Sequence, residues 1–149
     1  MRENFVTSLK EAMKAGDKMR VSTLRLVQAA IKDKDIEARG LSKTVSDDDI
    51  LALLQKMVKQ RQESLAIFEK EKREDLAAIE RSEIEIITGF LPKQMDEASV
   101  KAAIAAAISE TRAAGMKDMG KVVAALKAKY SGQMDFGKAS GLVKAALTG

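Results

Sequence analysis

Apolar residues recur every three or four positions along most of the chain, which is the spacing of amphipathic helices. Four such stretches precede the single proline, Pro92, and three shorter ones follow it. The pattern therefore predicts an all-α protein with two domains. We expect an N-terminal helical domain of about four helices over 1–92, followed by a C-terminal three-helix bundle over 93–149.

Residues suited to begin and end helices lie between these stretches. An Asp or Ser side chain can accept a hydrogen bond from a free N–H of the first helical turn, and glycine favours the left-handed conformation that ends a helix. The predicted starts are Asp17, Ser46, Asp96, Asp118 and Asp135, and the predicted ends include Gly16, Gly40, Gly89 and Gly115. The three aspartates at 47–49 favour a helix start over a metal site, because consecutive helical residues point about 100° apart.

The apolar stripes predict which side chains form the core. The first helix would bury Phe5, Leu9 and Met13, the fourth would bury Ile79, and the last would bury residues that include Leu142 and Ala146. The third stripe contains a charge, Arg61. A buried arginine requires a carboxylate partner. Glu80 and Glu83, three residues apart on the next helix, are the predicted partners in a structural ion pair.

Composition excludes several kinds of chemistry. The chain has no histidine and no cysteine, so no Ser-His or Cys-His pair, thiolate or imidazole ligand exists. Neither of the common glycine-rich phosphate-binding loops occurs. We therefore predict no catalytic residue, no metal and no other cofactor.

The first residues and the hydropathy pattern bear on localisation. MRENFVTSLKEAMKAG alternates charged and apolar residues and lacks the continuous apolar core of a signal peptide. No run approaches the 18 apolar residues that predict a membrane span. These features predict a cytoplasmic protein without membrane partners.

Positive charge is concentrated after the proline. Residues 1–92 contain 17 basic and 17 acidic residues, whereas residues 93–149 contain 9 basic and 5 acidic ones, so the net charge of +4 belongs to the second domain. A basic surface of this kind suits phosphate backbones, because each lysine–phosphate contact releases counterions. A solvated charged face is the alternative. The candidate nucleic-acid-binding residues lie on the last two helices: Lys121, Lys127, Lys129, Lys138 and Lys144.

Several motifs give the chain a family resemblance. DKMRVSTLRLVQAAIKDKDIEAR, TVSDDDIL, KQRQES, REDLAAIERSEIEII, FLPKQM and MKDMGKVVAAL together resemble the GatB/YqeY family, in particular its stand-alone YqeY-type members. Two positions depart from the family pattern. Lys72 stands where glycine is frequent before Arg73, which weakens the case for a tight turn there, and Phe136 replaces the glycine of a usual Asp-Gly turn.

The resemblance implies a helical protein of two subdomains. The same module forms the tail of the B subunit of the tRNA-dependent amidotransferase, where it contacts tRNA outside the catalytic domain. It therefore implies a non-catalytic, tRNA-binding module. The alternative is an accessory factor that docks on a protein of tRNA aminoacylation or amidation, suggested by the charged segment 59–74. A glutamine-dependent carbon–nitrogen ligase is disfavoured, since the chain has no cysteine nucleophile or nucleotide loop.

Overall fold

A computed structural model of the chain describes residues 1–148, and these residues form helices and no strand. The all-α prediction is thus confirmed. A short 3₁₀ turn, Met116–Asp118, precedes the sixth helix. Within the described range the α-helices are α1 (Arg2–Ala15), α2 (Lys18–Gly40), α3 (Asp47–Lys70), α4 (Glu74–Thr88), α5 (Glu97–Thr111), α6 (Met119–Tyr130) and α7 (Phe136–Thr148).

At most of the predicted helix starts, the expected side chain accepts a capping hydrogen bond from the backbone. Asp17 accepts a hydrogen bond from the backbone N–H of Arg20 at 3.1 Å, and Asp96 accepts one from Ser99 at 2.7 Å. At the start of α3 the bonds are reciprocal: the Ser46 hydroxyl accepts from the Asp49 N–H, and the Asp49 carboxylate accepts from the Ser46 N–H. This capping box satisfies two backbone donors that the helix leaves free.

Two boundaries in the C-terminal half differ from the prediction. Helix α5 ends at Thr111, before the predicted stop at Gly115, because Arg112 adopts the left-handed conformation with φ 53°. Asp118 does not cap α6 with its side chain. Its carboxylate instead accepts a hydrogen bond from the backbone N–H of Ala114 at 2.9 Å, which closes the loop after α5.

The chain divides into two compact units, Met1–Leu91 and Pro92–Gly149. The N-terminal unit contains α1 to α4, with α3 and α4 packed as a long hairpin. Its core includes Phe5 of α1, whose ring centroid lies 4.8 Å from that of Phe90. The other buried residues of this core are Ala12, Leu24, Val27, Ile31, Ile50, Leu54, Met57 and Ile87.

The C-terminal unit is a bundle of α5, α6 and α7 with its own core. Alanines let α5 approach its neighbours closely, and valine and leucine fill the centre. Met134, in the loop before α7, also belongs to this core. The buried residues are Ala103, Ile104, Ala107, Val122, Leu126, Met134, Ala139 and Val143.

Some side chains predicted to be buried are exposed. Met13, Ile79, Leu142 and Ala146 each satisfy the apolar spacing of their helix but lie outside the two cores. Apolar periodicity predicts one face of a helix, whereas burial requires a second element to cover that face. In these short helices the covered stripe is narrower than the apolar stripe.

The connection between α3 and α4 is a tight turn at Lys72. This residue has φ 57°, in the left-handed region where glycine is favoured. Lysine therefore occupies a backbone position suited to the glycine that is frequent there in the resembling family. The turn that the substitution had made doubtful is present, and it directs α4 back along α3.

Candidate nucleic-acid interface

The five candidate lysines lie on α6 and α7, and all five are exposed. Lys121 lies in the first turn of α6, and Lys127 and Lys129 lie in its last turn. Lys138 and Lys144 lie on α7. Exposure makes each lysine available to a ligand, but binding a phosphate backbone also requires that the charges share a surface.

Lys127 and Lys129 point to opposite sides of α6. Two residues along a helix turn the side chain by about 160° around the axis. The ammonium of Lys127 lies 6.0 Å from the ring centroid of Phe136, at the start of α7. The ammonium of Lys129 instead pairs with the carboxylate of Glu110 on α5, at 3.0 Å, and this pairing raises the pKa of Lys129. Lys129 is therefore partly neutralised, whereas Lys127 is not.

Lys121 and Lys138 also lie beside carboxylates. The Lys121 ammonium is 3.8 Å from Asp118. Lys138 lines a hollow of about 690 Å³ that Glu97 and Asp135 also line. Negative charge near a lysine weakens its attraction for a phosphate.

Lys144 lies on the side of α7 that carries Phe136. The two residues are eight positions apart, which places them about 80° apart around the helix, whereas Lys138 lies about 160° from Phe136. Because Lys127 lies over the Phe136 ring, we infer from this helical spacing that Lys127 and Lys144 flank the same α6–α7 seam. Among residues 1–148, no carboxylate lies within ion-pair distance of either ammonium.

The five lysines thus do not form one surface. Helical spacing places Lys127 and Lys144 toward a common side, and among residues 1–148 neither of the two has an acidic partner, unlike Lys121 and Lys129. The sequence already held part of this signal, since a spacing of two residues separates Lys127 from Lys129 around any helix. It could not show that Glu110 lies beside Lys129.

The predicted structural ion pair lies between α3 and α4. The Arg61 Nε donates a hydrogen bond to Glu83 Oε2 at 2.7 Å, and its Nη1 donates to the carbonyl of Met57 at 3.2 Å. The side chains of Arg61 and Glu83 are only 16% and 14% exposed. A short charge-assisted bond in such a position fixes the two helices against each other.

Glu80 takes part through charge and not through a hydrogen bond. Its Oε2 is buried without a hydrogen-bond partner among the described residues. Burial raises the pKa of Glu80, the negative charge of Glu83 raises it further, and Arg61 opposes both. Of the two predicted carboxylate partners, Glu83 bonds the guanidinium directly. Glu80 lies nearby, and its charged form is disfavoured by burial and by the charge of Glu83.

This arrangement predicts that Glu80→Gln stabilises the protein at neutral pH. A carboxyl group whose folded pKa exceeds its unfolded value binds more protons in the folded state, so it costs stability as pH rises from the ordinary glutamate range through the folded pKa. Glutamine carries no charge and avoids this cost. Thermal unfolding across the acidic to neutral range should show a higher Tm for Glu80→Gln than for wild type at neutral pH, with the difference shrinking in acid. Glu85→Gln, at an exposed site on the same helix, is the control. An equal shift in both variants would contradict the assignment.

Two further searches cover residues 1–148. Within that range, no group of three or more Asp or Glu side chains is arranged to hold a metal ion. No helix in the same range combines the length and the apolarity needed to cross a membrane.

Comparison with known proteins agrees with the motifs and the fold. The model of the Yqey-like protein family matches residues 2–147, nearly the whole chain. The chain belongs to this family. The YqeY-like resemblance of the sequence is thereby confirmed. The matched residues include helices of both units.

The relatives of this YqeY-like chain include fungal proteins named "Altered inheritance of mitochondria protein 41, mitochondrial". The one from Lachancea thermotolerans is 35% identical over 111 residues, which are 73% of this chain and 58% of the relative. Those from Clavispora lusitaniae and Kluyveromyces lactis are 40% and 38% identical, over 60% and 55% of this chain and 52% and 43% of the relatives. The chain thus spans about half the length of the curated relatives that it matches.

The names of these relatives correct one expectation from the sequence. A cytoplasmic protein was predicted, from the alternating pattern of the first residues, but the relatives are named as mitochondrial. The cytoplasmic prediction is wrong on this comparison. Hydropathy is a poor guide here, because mitochondrial targeting does not use the continuous apolar core whose absence supported the prediction.

Proposed function

We propose that this YqeY-like protein is a non-catalytic module that binds tRNA through the C-terminal unit. The observation that carries the proposal is the confinement of the +4 charge to residues 93–149. Lys127 and Lys144 are the principal phosphate contacts in this proposal, since they flank one seam and have no carboxylate partner among residues 1–148. Resemblance to the tail of the amidotransferase B subunit, which contacts tRNA, supports tRNA as the nucleic acid.

The composition of this surface favours recognition of the phosphate backbone over reading of bases. Single-strand readers stack successive bases on exposed aromatic rings. In the C-terminal unit the aromatic residues are Tyr130 and Phe136, and both are half-buried against the core. Shape and charge are therefore the features of tRNA that the unit would recognise.

The proposal is tested by measuring tRNA affinity at several salt concentrations. Each phosphate contact contributes about −0.9 to the slope of log Kobs against log salt concentration, so two contacts predict a slope of about −2. Fluorescence anisotropy with labelled tRNA, titrated from low to physiological salt, gives this value. Absence of binding at low salt, or binding independent of salt, would contradict the proposal. Glutaminase or ATPase turnover by the pure protein would contradict its non-catalytic part.

Protein docking is the second candidate function, and the structure changes the surface that favours it. Much of the charge near the end of α3 is paired locally: Arg81 bonds Glu69 and Glu74, and Arg73 bonds Asp75. The segment 59–74 is thus less available to a partner than its sequence indicates. An exposed apolar groove on α1 and α2 favours docking instead. Association with a protein that survives RNase treatment would favour this candidate over tRNA binding.

A further inference from the structure

The hairpin of α1 and α2 carries an open groove on its outer surface. The groove has a volume of about 700 Å³ and a floor that is mostly apolar. Met13 lines it from α1, and Val21 and Leu26 line it from α2. The side of α2 that faces the core is already covered, with Leu24 and Val27 fully buried, so the groove is a second apolar surface of the same hairpin.

The apolar residues of the groove are large and exposed. Met13 is 55% exposed and Leu26 is 46% exposed. Val6, which is 45% exposed, lies seven residues before Met13 and so on the same side of α1. Isolated exposed apolar residues are ordinary, but a contiguous group in a concave surface indicates a binding site.

The charges at the groove have one sign. Lys18 and Arg25 line it, and no carboxylate does. Within the described residues, neither cation forms an ion pair. This contrasts with the N-terminal unit as a whole, in which basic and acidic residues are equal in number.

We propose that this groove binds an acidic amphipathic helix of a partner protein. A helix that presents apolar residues at positions i, i+3 or i+4, and i+7 fits a groove between two helices, and its flanking Glu or Asp residues would meet Lys18 and Arg25. Met13 suits this role because its flexible thioether side chain adapts to the partner's surface. The proposal is independent of tRNA binding, because it concerns the other unit of the chain.

Two other occupants fit the groove less well. A second copy bound through a two-fold axis would place the same patch on both sides, so the positive charges of Lys18 and Arg25 would meet the positive charges of the partner copy. Nucleic acid would suit the positive charge of the groove but not its apolar surface, since no aromatic residue lines the groove for a base to stack on. Negative charge combined with an apolar stripe is the chemistry that satisfies both features.

A designed peptide tests the proposal directly. The probe is a fluorescein-labelled amphipathic helix of about 15 residues, near the minimum length for an isolated helix, with leucines on one face and glutamates beside them. A second probe has lysines in place of the glutamates. Anisotropy titrations with the full-length protein should show saturable binding of the acidic probe and at least about 10-fold weaker binding of the basic one.

Paired variants separate the apolar and charged contributions. We expect Met13→Glu/Leu26→Glu and Lys18→Glu/Arg25→Glu each to weaken binding of the acidic probe by about 10-fold or more. The matched controls are Ile36→Glu/Ile67→Glu and Lys32→Glu/Lys70→Glu, which make the same changes of charge at exposed sites that do not line the groove. The controls should bind like wild type, and circular dichroism should show equal helix content in all variants.

The remaining outcomes would each overturn the proposal. These are failure of the acidic probe to saturate at millimolar protein, equal binding of both probes, or equal weakening by the control variants. A concentration-dependent dimer that Met13→Glu/Leu26→Glu abolishes, seen by analytical ultracentrifugation, would identify a second copy as the occupant. Loss of tRNA binding in Lys18→Glu/Arg25→Glu would identify nucleic acid. Unchanged tRNA binding in that variant, with loss of the acidic probe, supports the proposal and leaves the tRNA proposal to its own test.

Discussion

Replacing Arg61 by leucine is expected to lower the free energy of unfolding of the N-terminal unit by about 3 kcal/mol, the cost of removing one partner from a largely buried ion pair. Its guanidinium bonds Glu83 and its positive charge lowers the pKa of Glu80 against the effects of burial and of Glu83. Without it, Glu83 loses a 2.7 Å charge-assisted bond, and two neighbouring carboxylates remain in a poorly solvated position. Chemical denaturation followed by far-UV circular dichroism measures the loss.

A double-mutant cycle shows whether the loss belongs to the pair. Arg61→Leu/Glu83→Leu should be considerably more stable than Arg61→Leu alone, because apolar residues of similar size can replace a buried ion pair at little cost. Additive losses from the two single changes would contradict a direct interaction. Unchanged stability of Arg61→Leu, with loss of partner binding, would mean that Arg61 has a functional and not a structural role.

Reversing the charges of Lys127 and Lys144 together is expected to weaken tRNA binding on the order of 100-fold at low salt, because two phosphate contacts are replaced by repulsion. The salt dependence should fall as well, by about one unit of slope for each contact removed. Both residues are exposed and neither belongs to the core of the bundle, so the folded unit should tolerate the changes. Anisotropy titrations of Lys127→Glu/Lys144→Glu with labelled tRNA give both quantities.

A matched pair on one helix supplies the control for this experiment. Lys127→Gln and Lys129→Gln remove the same charge from positions two residues apart on α6. Lys129 already pairs with Glu110, so its loss should reduce affinity less than the loss of Lys127. Equal effects of the two single changes would show that only net charge matters, and the α6–α7 seam would then have no special role.

Local rules account for most of what the sequence predicted correctly. The starts of α2, α3 and α5 depend on a side chain that reaches a backbone N–H three residues away, and Asp17, Ser46 and Asp96 all make that bond. Arg61 was predictable for a related reason, since a charge within an apolar stripe requires a partner on the element that covers it. Glu83 lies on the next helix of the hairpin and could therefore be named as that partner from the sequence.

The errors arose where the answer depends on a neighbour that is distant in sequence. Met13 fits the apolar period of α1, but no other helix of the N-terminal unit buries the side of the hairpin on which it lies. Lys129 resembles Lys127 in the sequence, and only the position of Glu110 distinguishes them. Asp118 was assigned to the helix that follows it, whereas it bonds the loop before it. Periodicity and capping rules contain no information about such contacts.

The separate cores of the two units have a practical consequence for spectroscopy. The chain has one tyrosine and no tryptophan, and Tyr130 packs against the core of the C-terminal unit. Intrinsic tyrosine emission therefore reports on that unit alone, because the aromatic residues of the N-terminal unit are phenylalanines. Far-UV circular dichroism reports on both units, since each is built of helices. Tyrosine emission can thus follow unfolding of the C-terminal unit without a contribution from unfolding of the N-terminal unit.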